Sequence, residues 1–212
     1  MAFRVLPVTA FAQNCTLFWC EKTKEAAVID PGGEVDRILE AAQADGLKIT
    51  KIWVTHGHLD HVGGVAELQK KTKAIIEGPH EADRYWVENL SGQARMFGFP
   101  QSGDFQPDRW LSHGETVTLG EETLHVIHCP GHTPGHVVFY DEKSRWAQVG
   151  DVLFSGSIGR TDFPGGSYEA LIESIRGRLF SLGDDIQFVP GHGPMSTFAE
   201  ERRSNPFVGE IG

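Results

Sequence analysis

Short runs of β-branched and aromatic residues alternate along the chain with stretches whose apolar positions recur at helical spacing. Residues 3–9 and 15–19 read as strands. Ala26-Ala27-Val28-Ile29 predicts a short buried strand, closed by the turn residues Asp30-Pro31-Gly32-Gly33. Val35, Ile38, Leu39 and Ala42 then share one face of a helix that ends at Asp45-Gly46. Residues 49–55 predict a strand running straight into His56. A helix follows Gly63-Gly64, and a strand covers 74–77. Residues 81–90 have helical character, whereas 91–110 read as a loop-rich insertion holding Met96, Phe97, Phe99 and Trp110. The second half keeps this style without repeating the sequence, with strands at 116–119, 123–128, 136–140 and 146–150. Ser167 opens a helix with Leu171, Ile172, Ile175 and Leu179 on one face. A strand at 186–189 ends at Pro190-Gly191-His192, and Thr197 with Glu200 predicts a capping box for a last short helix.

Strands followed by helices in both halves imply a layered sandwich of the α/β class, with sheets inside and helices outside. No linker, low-complexity tract or short-period repeat divides the chain, so residues 1–212 are expected to form one domain. Every His-Gly loop follows a predicted strand. Loops at one edge of a sheet stack are a common place for a site.

Composition narrows the function. Hydrophobic residues make up 40% and charged residues 23% of the 212, which excludes disorder as the main state. No apolar run approaches the roughly 18 residues that span a bilayer. The N-terminal residues lack a signal peptide's apolar region, so a cytoplasmic location and no membrane partner are expected. Lys and Arg total 19 against 29 Asp and Glu, a net charge of −10 that would repel a phosphate backbone and argues against a nucleic-acid partner. The three cysteines, Cys15, Cys20 and Cys129, form no CxxC and fit a reducing compartment. Ten His and 25 Gly are the unusual counts, because they fall side by side at Gly57-His58, Gly131-His132, Gly135-His136 and Gly191-His192. Nothing in the pattern sets the oligomeric state.

Thr55-His56-Gly57-His58-Leu59-Asp60-His61 carries the strongest chemical signal. Neutral imidazole and carboxylate are ligands for zinc, iron or manganese. Alternate positions of an extended chain point to one side, so His56 and His58 suit one ion, while Asp60 and His61, past the turn, reach a second. Three further ligand types end later strands: His132, Asp151 and His192. Together they complete two sites, His56, His58 and His132 around one ion and Asp60, His61 and His192 around the other. Asp151 bridges them, since its two oxygens suit ions roughly 3.5–4 Å apart. Two divalent metal ions are therefore expected, zinc first, with iron or manganese as the alternatives.

These motifs resemble the metallo-β-lactamase superfamily across nearly the whole chain, and all seven ligand positions match. Gly131-His132-Thr133-Pro134-Gly135-His136 and Gly159-Arg160-Thr161-Asp162-Phe163-Pro164-Gly165-Gly166 resemble the glyoxalase II branch. Within it, the chain looks like the short bacterial YcbL type, which also carries Arg95-Met96-Phe97-Gly98. The resemblance implies a four-layer αββα sandwich and hydrolysis of a glutathione thioester, S-D-lactoylglutathione, to D-lactate and glutathione. It implies that hydroxide generated at the metals attacks the thioester carbonyl, with Asp60 both binding metal and orienting the nucleophile. It also implies that Arg160 meets the carboxylates of glutathione. The larger enzymes of the branch hold glutathione with a C-terminal helical domain and with tyrosines. This chain has Asp162 and Pro194 at those tyrosine positions and runs only about 20 residues past His192.

Alternatives remain for single residues. Cys129 is either a buried strand residue or a thiolate ligand. His136 is either a partner near the metals or a strand residue. His80, His113, His125 and His128 are expected at the surface or in packing. The Gly156–Gly159 stretch lacks the Lys-Ser or Lys-Thr of a phosphate loop and is expected as a flexible loop beside the site. Phe97, Phe99 and Trp110 either wall a cleft or form the core of the insertion. A rival activity on the same fold is an iron-dependent persulfide dioxygenase, whose single iron would use His56, His132 and Asp151. A non-catalytic metal-binding scaffold is the rival from another class, and no ligand position is missing to support it. Lactonase and β-lactamase readings leave residues 159–166 unexplained.

Overall fold

Ile52 and Val54 face one way along one extended segment and Trp53 faces the other, and both faces are buried and apolar. A sheet built from such strands needs cover on both sides. The computed structural model, which describes residues 1–98 and 103–210, shows how that need is met. Strands β1 (Ala2–Val8), β2 (Gln13–Trp19), β3 (Glu25–Ile29), β4 (Lys48–Trp53) and β5 (Ile75–Glu77) pair in that order. The first three are antiparallel, and β3, β4 and β5 are parallel. Parallel neighbours need crossovers. Helix α1 (Val35–Ala44) supplies one, and α2 (Leu59–Val62) with α3 (Val65–Thr72) the other.

Helices α4 (Arg84–Glu88) and α5 (Leu90–Phe97) lead to the second half. It contributes β6 (Thr116–Leu119), β7 (Glu122–His128), β8 (Val137–Asp141) and β9 (Trp146–Gly150). A ribbon of β10 (Leu153–Phe154) and β11 (Ser157–Ile158), helix α6 (Tyr168–Glu173), strands β12 (Gln187–Pro190) and β13 (Ser196–Thr197), and helix α7 (Phe198–Ser204) follow. The second sheet has the order β13-β12-β9-β8-β7-β6.

Three apolar layers result. Phe18, Ile29 and Trp53 of the first sheet meet Val126, Phe139 and Trp146 of the second, and the rings of Trp53 and Phe139 stack with centroids 5.5 Å apart. Val28 and Ile52 pack outward with Ile38, Leu68 and Leu90, while Val138, Val149 and Phe188 pack outward with Leu171, Ile175 and Phe198. This is the αββα sandwich. Each fully buried Leu, Ile or Phe side chain stabilises it by about 1.5–3 kcal/mol. Trp53→Ala would empty the middle of the inner layer and lower the unfolding free energy by about 3–5 kcal/mol.

Three sequence expectations need correction. Residues 90–97 form helix α5 rather than loop. Ser91 and Gly92 disguise it, because local propensity there is poor, but buried Leu90 and Ala94 and the hydrogen bonds of Gln93 hold it. Trp110 packs against the first outer layer, as insertion core. Phe99 and the side chain of Phe97 lie outside the described residues. The stretch around Gly156 is the β10–β11 ribbon, whose Gly156 N–H donates to Glu201 at 2.8 Å. Only half of the capping box forms: Thr197 Oγ1 accepts from the Glu200 N–H at 3.2 Å, while the Glu200 carboxylate turns to Arg203 and Ser204.

Strands β3 and β4, and likewise β7, β9 and β12, run in common directions within their sheets. Their C-terminal ends lead to Asp30, His56, His132, Asp151 and His192. Asn14 N–H donates to Gly191 O at 2.7 Å and a lone bridge joins Gln13 to His192, so the two sheets are laced together at this edge.

Candidate metal centre

The loop after β4 carries His56 and His58, and the single turn of α2 carries Asp60 and His61. Four residues are too few for a periodic pattern, so this turn was not foreseen. His132 arrives from the loop after β7, Asp151 from the end of β9 and His192 from the end of β12. Ligand-type atoms of His56, His58 and His132 all lie within 4.8 Å of one another, and so do those of Asp60, His61 and His192. Asp151 stands between the two groups. Its Oδ1 is 3.3 Å from His61 Nε2, and its Oδ2 is 3.6 Å from His132 Nε2 and 3.8 Å from His192 Nε2. His192 Nε2 also lies 3.1 Å from Asp60 Oδ2.

Every ring but that of His58 is aimed by an acceptor on its far side. The Thr55 hydroxyl donates to Asp30 Oδ2 at 2.6 Å, which leaves Thr55 Oγ1 to accept from His56 Nδ1 at 3.0 Å. Asp30 Oδ2 also accepts from His61 Nδ1 at 2.9 Å. The Arg160 carbonyl accepts from His132 Nδ1 at 2.8 Å, and the Phe11 carbonyl from His192 Nδ1 at 3.1 Å. With hydrogen held on Nδ1, the Nε2 lone pairs point inward. His58 is turned the other way, with Nδ1 inward and 2.9 Å from His132 Nε2.

The donor set fits divalent metal. His56 Nε2 is buried and has no hydrogen-bond partner in the protein, and His61 Nε2 and Asp151 Oδ1, also buried, face each other at 3.3 Å without hydrogen-bond geometry. Orphaned buried polar atoms cost about 1–3 kcal/mol each, so their convergence calls for a shared partner. Burial and neighbouring imidazoles hold His56 well below the usual histidine range and bring His58 down to about 3, and burial lowers His132. That cluster is neutral and ready to donate lone pairs. In the other, burial works against protonation of His61, yet Asp151 and Asp60 hold its pKa well above the usual range. Burial also opposes protonation of His192, which its hydrogen bond to Asp60 raises. Burial likewise works against ionisation of Asp151, but His61, His132 and His192 keep it below the usual carboxylate range.

The support residues escaped sequence reasoning. Asp30 read as part of a turn; its only signal was a carboxylate ending a strand before Pro-Gly-Gly. Asp83 is buried, and it clamps both histidine loops: Gly57 N–H and Thr133 Oγ1 donate to Oδ2 at 2.9 and 2.8 Å, and Gly135 N–H to Oδ1 at 2.5 Å. Burial pushes its carboxyl up to about 6 despite these donors. Gln93 ties α5 to the site by accepting from Leu59 N–H at 2.9 Å and donating to Gly57 O at 3.0 Å. Gly191 is required by close approach, because a Cβ there would sit 2.0 Å from Asp151 Oδ1.

His136 proves to be a partner of the centre: its Nε2 accepts from Asp151 N–H at 3.0 Å, and its ring stacks on His56. Cys129 is a core residue of the second outer layer whose thiol burial pushes up to about 12. His80 and His128 stack on each other, and His113 Nδ1 accepts from His128 N–H at 3.3 Å. His125 is half exposed beside Glu142.

A cleft of about 370 Å³ opens above the two clusters. Phe11, Leu59, Phe154, Ile158 and Phe163 give it apolar walls, and Arg160 stands at its mouth. The Arg160 guanidinium lies 4.5 Å from the Phe163 ring centroid and donates through Nε and Nη2 to Asp162 at 2.9 and 2.7 Å. No helix among the described residues is long and apolar enough to cross a membrane.

Residues 8–192 match the family model described as the Metallo-beta-lactamase superfamily. The Haemophilus influenzae protein named hydroxyacylglutathione hydrolase GloC is 46% identical over 209 residues, which cover 98% of each chain. The crystal structure of the BLEG-1 B3 metallo-beta-lactamase superposes with a TM-score of 0.91 at 32% identity, covering 98% of this chain and 99% of that one. That of TTHA1623 in a di-iron-bound form gives 0.89 at 36% identity, with 97% and 100% covered. The chain belongs to the metallo-β-lactamase superfamily, in a glyoxalase-II-like branch, and is a metal-dependent hydrolase.

Proposed function

We propose that this member of the superfamily hydrolyses glutathione thioesters, with S-D-lactoylglutathione converted to D-lactate and glutathione. The observation that carries the reading is the pair of ligand clusters joined by Asp151 at the floor of an apolar-walled cleft. The name of the relative at 46% identity supports the choice of substrate. His56, His58 and His132 would hold one divalent ion, Asp60, His61 and His192 another, and Asp151 both. Zinc suits the nitrogen-rich set, and the di-iron form of a related structure keeps iron in play, with manganese. Such ions supply Lewis acidity and lower the pKa of water towards about 7.

The chain's own residues do the rest. Asp60, which lines the cleft, would orient the attacking water as well as hold metal. Phe11, Leu59, Phe154 and Ile158 exclude bulk water from the thioester. Arg160, at the mouth of the cleft, would meet a carboxylate of the thiol carrier. The reading treats residues 1–212 as a single metallo-β-lactamase-fold domain, because both clusters draw on both halves of the chain. It places the enzyme in the reducing cytoplasm, in keeping with three free buried thiols.

Thiol release from S-D-lactoylglutathione tests the proposal. Activity should vanish with a chelator and return with zinc, iron or manganese. Full turnover by metal-free protein would sink it. Oxygen uptake with glutathione persulfide, without thiol release, would move the assignment to a persulfide dioxygenase. Preferential opening of a β-lactam would move it towards the activity named for the B3 relative.

A further inference from the structure

Arg160 is the only lysine or arginine among the described residues lining the cleft. It is not waiting with an empty fork. Its Nε and Nη2 already donate to the two oxygens of Asp162, a bidentate pair two residues apart in sequence. Proximity in sequence makes the pair cheap to form, since little chain must be ordered to close it. The guanidinium face rests over Phe163, which in turn packs edge-on against His58 with centroids 4.8 Å apart. The arginine is thus laid along the wall leading to the metal clusters, one bidentate edge filled and its charge neutralised. A ligand carboxylate must displace Asp162 or bind beside a like charge.

We propose that Asp162 is a specificity-determining residue, an internal carboxylate that competes with the substrate's own for Arg160. This rests on the reading that the substrate carries a carboxylate. As a consequence, the cleft discriminates only weakly between anionic and neutral thiol carriers, and it accepts thioesters chiefly by their apolar and acyl parts. Asp162 and Arg160 are each 66% exposed, so the competition is modest. An exposed pair is worth a two- to five-fold effect on binding, by order of magnitude.

The test is calorimetric binding to the zinc-reconstituted protein, without turnover. The probes are S-methylglutathione, which carries carboxylates, and its diethyl ester, which does not. The readout is the ratio of their affinities. Asp162→Asn keeps the side chain's shape, and it should raise that ratio about two- to five-fold, less at high salt. Arg160→Gln should bring the ratio towards unity, and adding Asp162→Asn to it should change nothing more. An unchanged ratio in Asp162→Asn would overturn the proposal. A lower ratio would do so too, because Asp162 would then be aligning Arg160 for the ligand. A rise that persists without Arg160 would reduce the effect to net charge and overturn it as well, as would failure of both probes to bind either protein. Binding that follows the proposal without any thioester hydrolysis would sink the hydrolase reading alone.

Discussion

At the floor of the cleft, His56, His58, His61, His132 and Asp151 are at most 8% exposed, and every ring but His58 has an acceptor behind it. At the mouth, Arg160 and Asp162 are 66% exposed and hold chiefly one another. The two regions meet in one residue, since the Arg160 carbonyl supports His132 while its guanidinium holds Asp162. The difference is one of energy scale. A buried donor or acceptor left without a partner costs about 1–3 kcal/mol, so the floor tolerates one arrangement. An exposed ion pair is worth about 0.2–1 kcal/mol, so the mouth is free to vary. The ligand-type atoms of the floor are held by burial, whereas the contacts at the mouth can change at little cost to the fold.

The largest effect expected from breaking this contrast is at Asp151. Asp151→Ala should lose metal from both clusters and abolish turnover, at least as completely as any single histidine substitution. Metal content by atomic emission, beside kcat, checks it. Two bound ions with normal turnover would remove the bridge. Next comes Asp83→Asn, which touches no ligand but presents an amide to three donors. It should destabilise the fold by about 1–3 kcal/mol and weaken metal affinity about 10- to 100-fold. Denaturant midpoints and a competitive chelator titration measure both; unchanged affinity would free the floor from this clamp.

A smaller effect belongs to the mouth. Arg160→Ala keeps the carbonyl that holds His132, so metal content should stay at the wild-type level. KM for the glutathione thioester should rise about two- to five-fold at nearly constant kcat, as lost uniform binding requires. An equal loss on a short thioester without a carboxylate would take Arg160 out of recognition. The smallest effect on activity is expected at Cys129, which has the floor's burial without its convergence on the ligands. Cys129→Ala should keep both metals and lower stability by about 1 kcal/mol. Stoichiometric metal loss would make the sulfur a ligand.

Much of the candidate centre was legible in the sequence, because the residue types able to bind metal are local chemistry. The run from His56 to His61 needs no tertiary knowledge to suggest metal, and the strands that deliver His132, Asp151 and His192 announce themselves by apolar runs ending in glycine turns. Helix α5 was hidden because Ser91-Gly92 looks like loop, and its stability comes in part from Gln93 reaching Gly57, 36 residues away. Asp30 looked like a turn residue for the same reason: its partner His61 is 31 residues distant.

The sequence by itself determined the element types, the double-faced strands that demand two sheets with helices outside, and the residues fit to hold metal. These follow from periodicity and side-chain chemistry, which act over a few residues. Only the tertiary structure decided which nitrogen of each ring faces inward, that Asp83 clamps loops 26 and 52 residues away, and that the Phe11 carbonyl aims His192 across 181 residues. It also decided that Arg160 meets Asp162 rather than open solvent. Hydrogen-bond direction depends on where distant backbone arrives to within a few tenths of an ångström, and that is set by the packing of three apolar layers, not by any short stretch of chain.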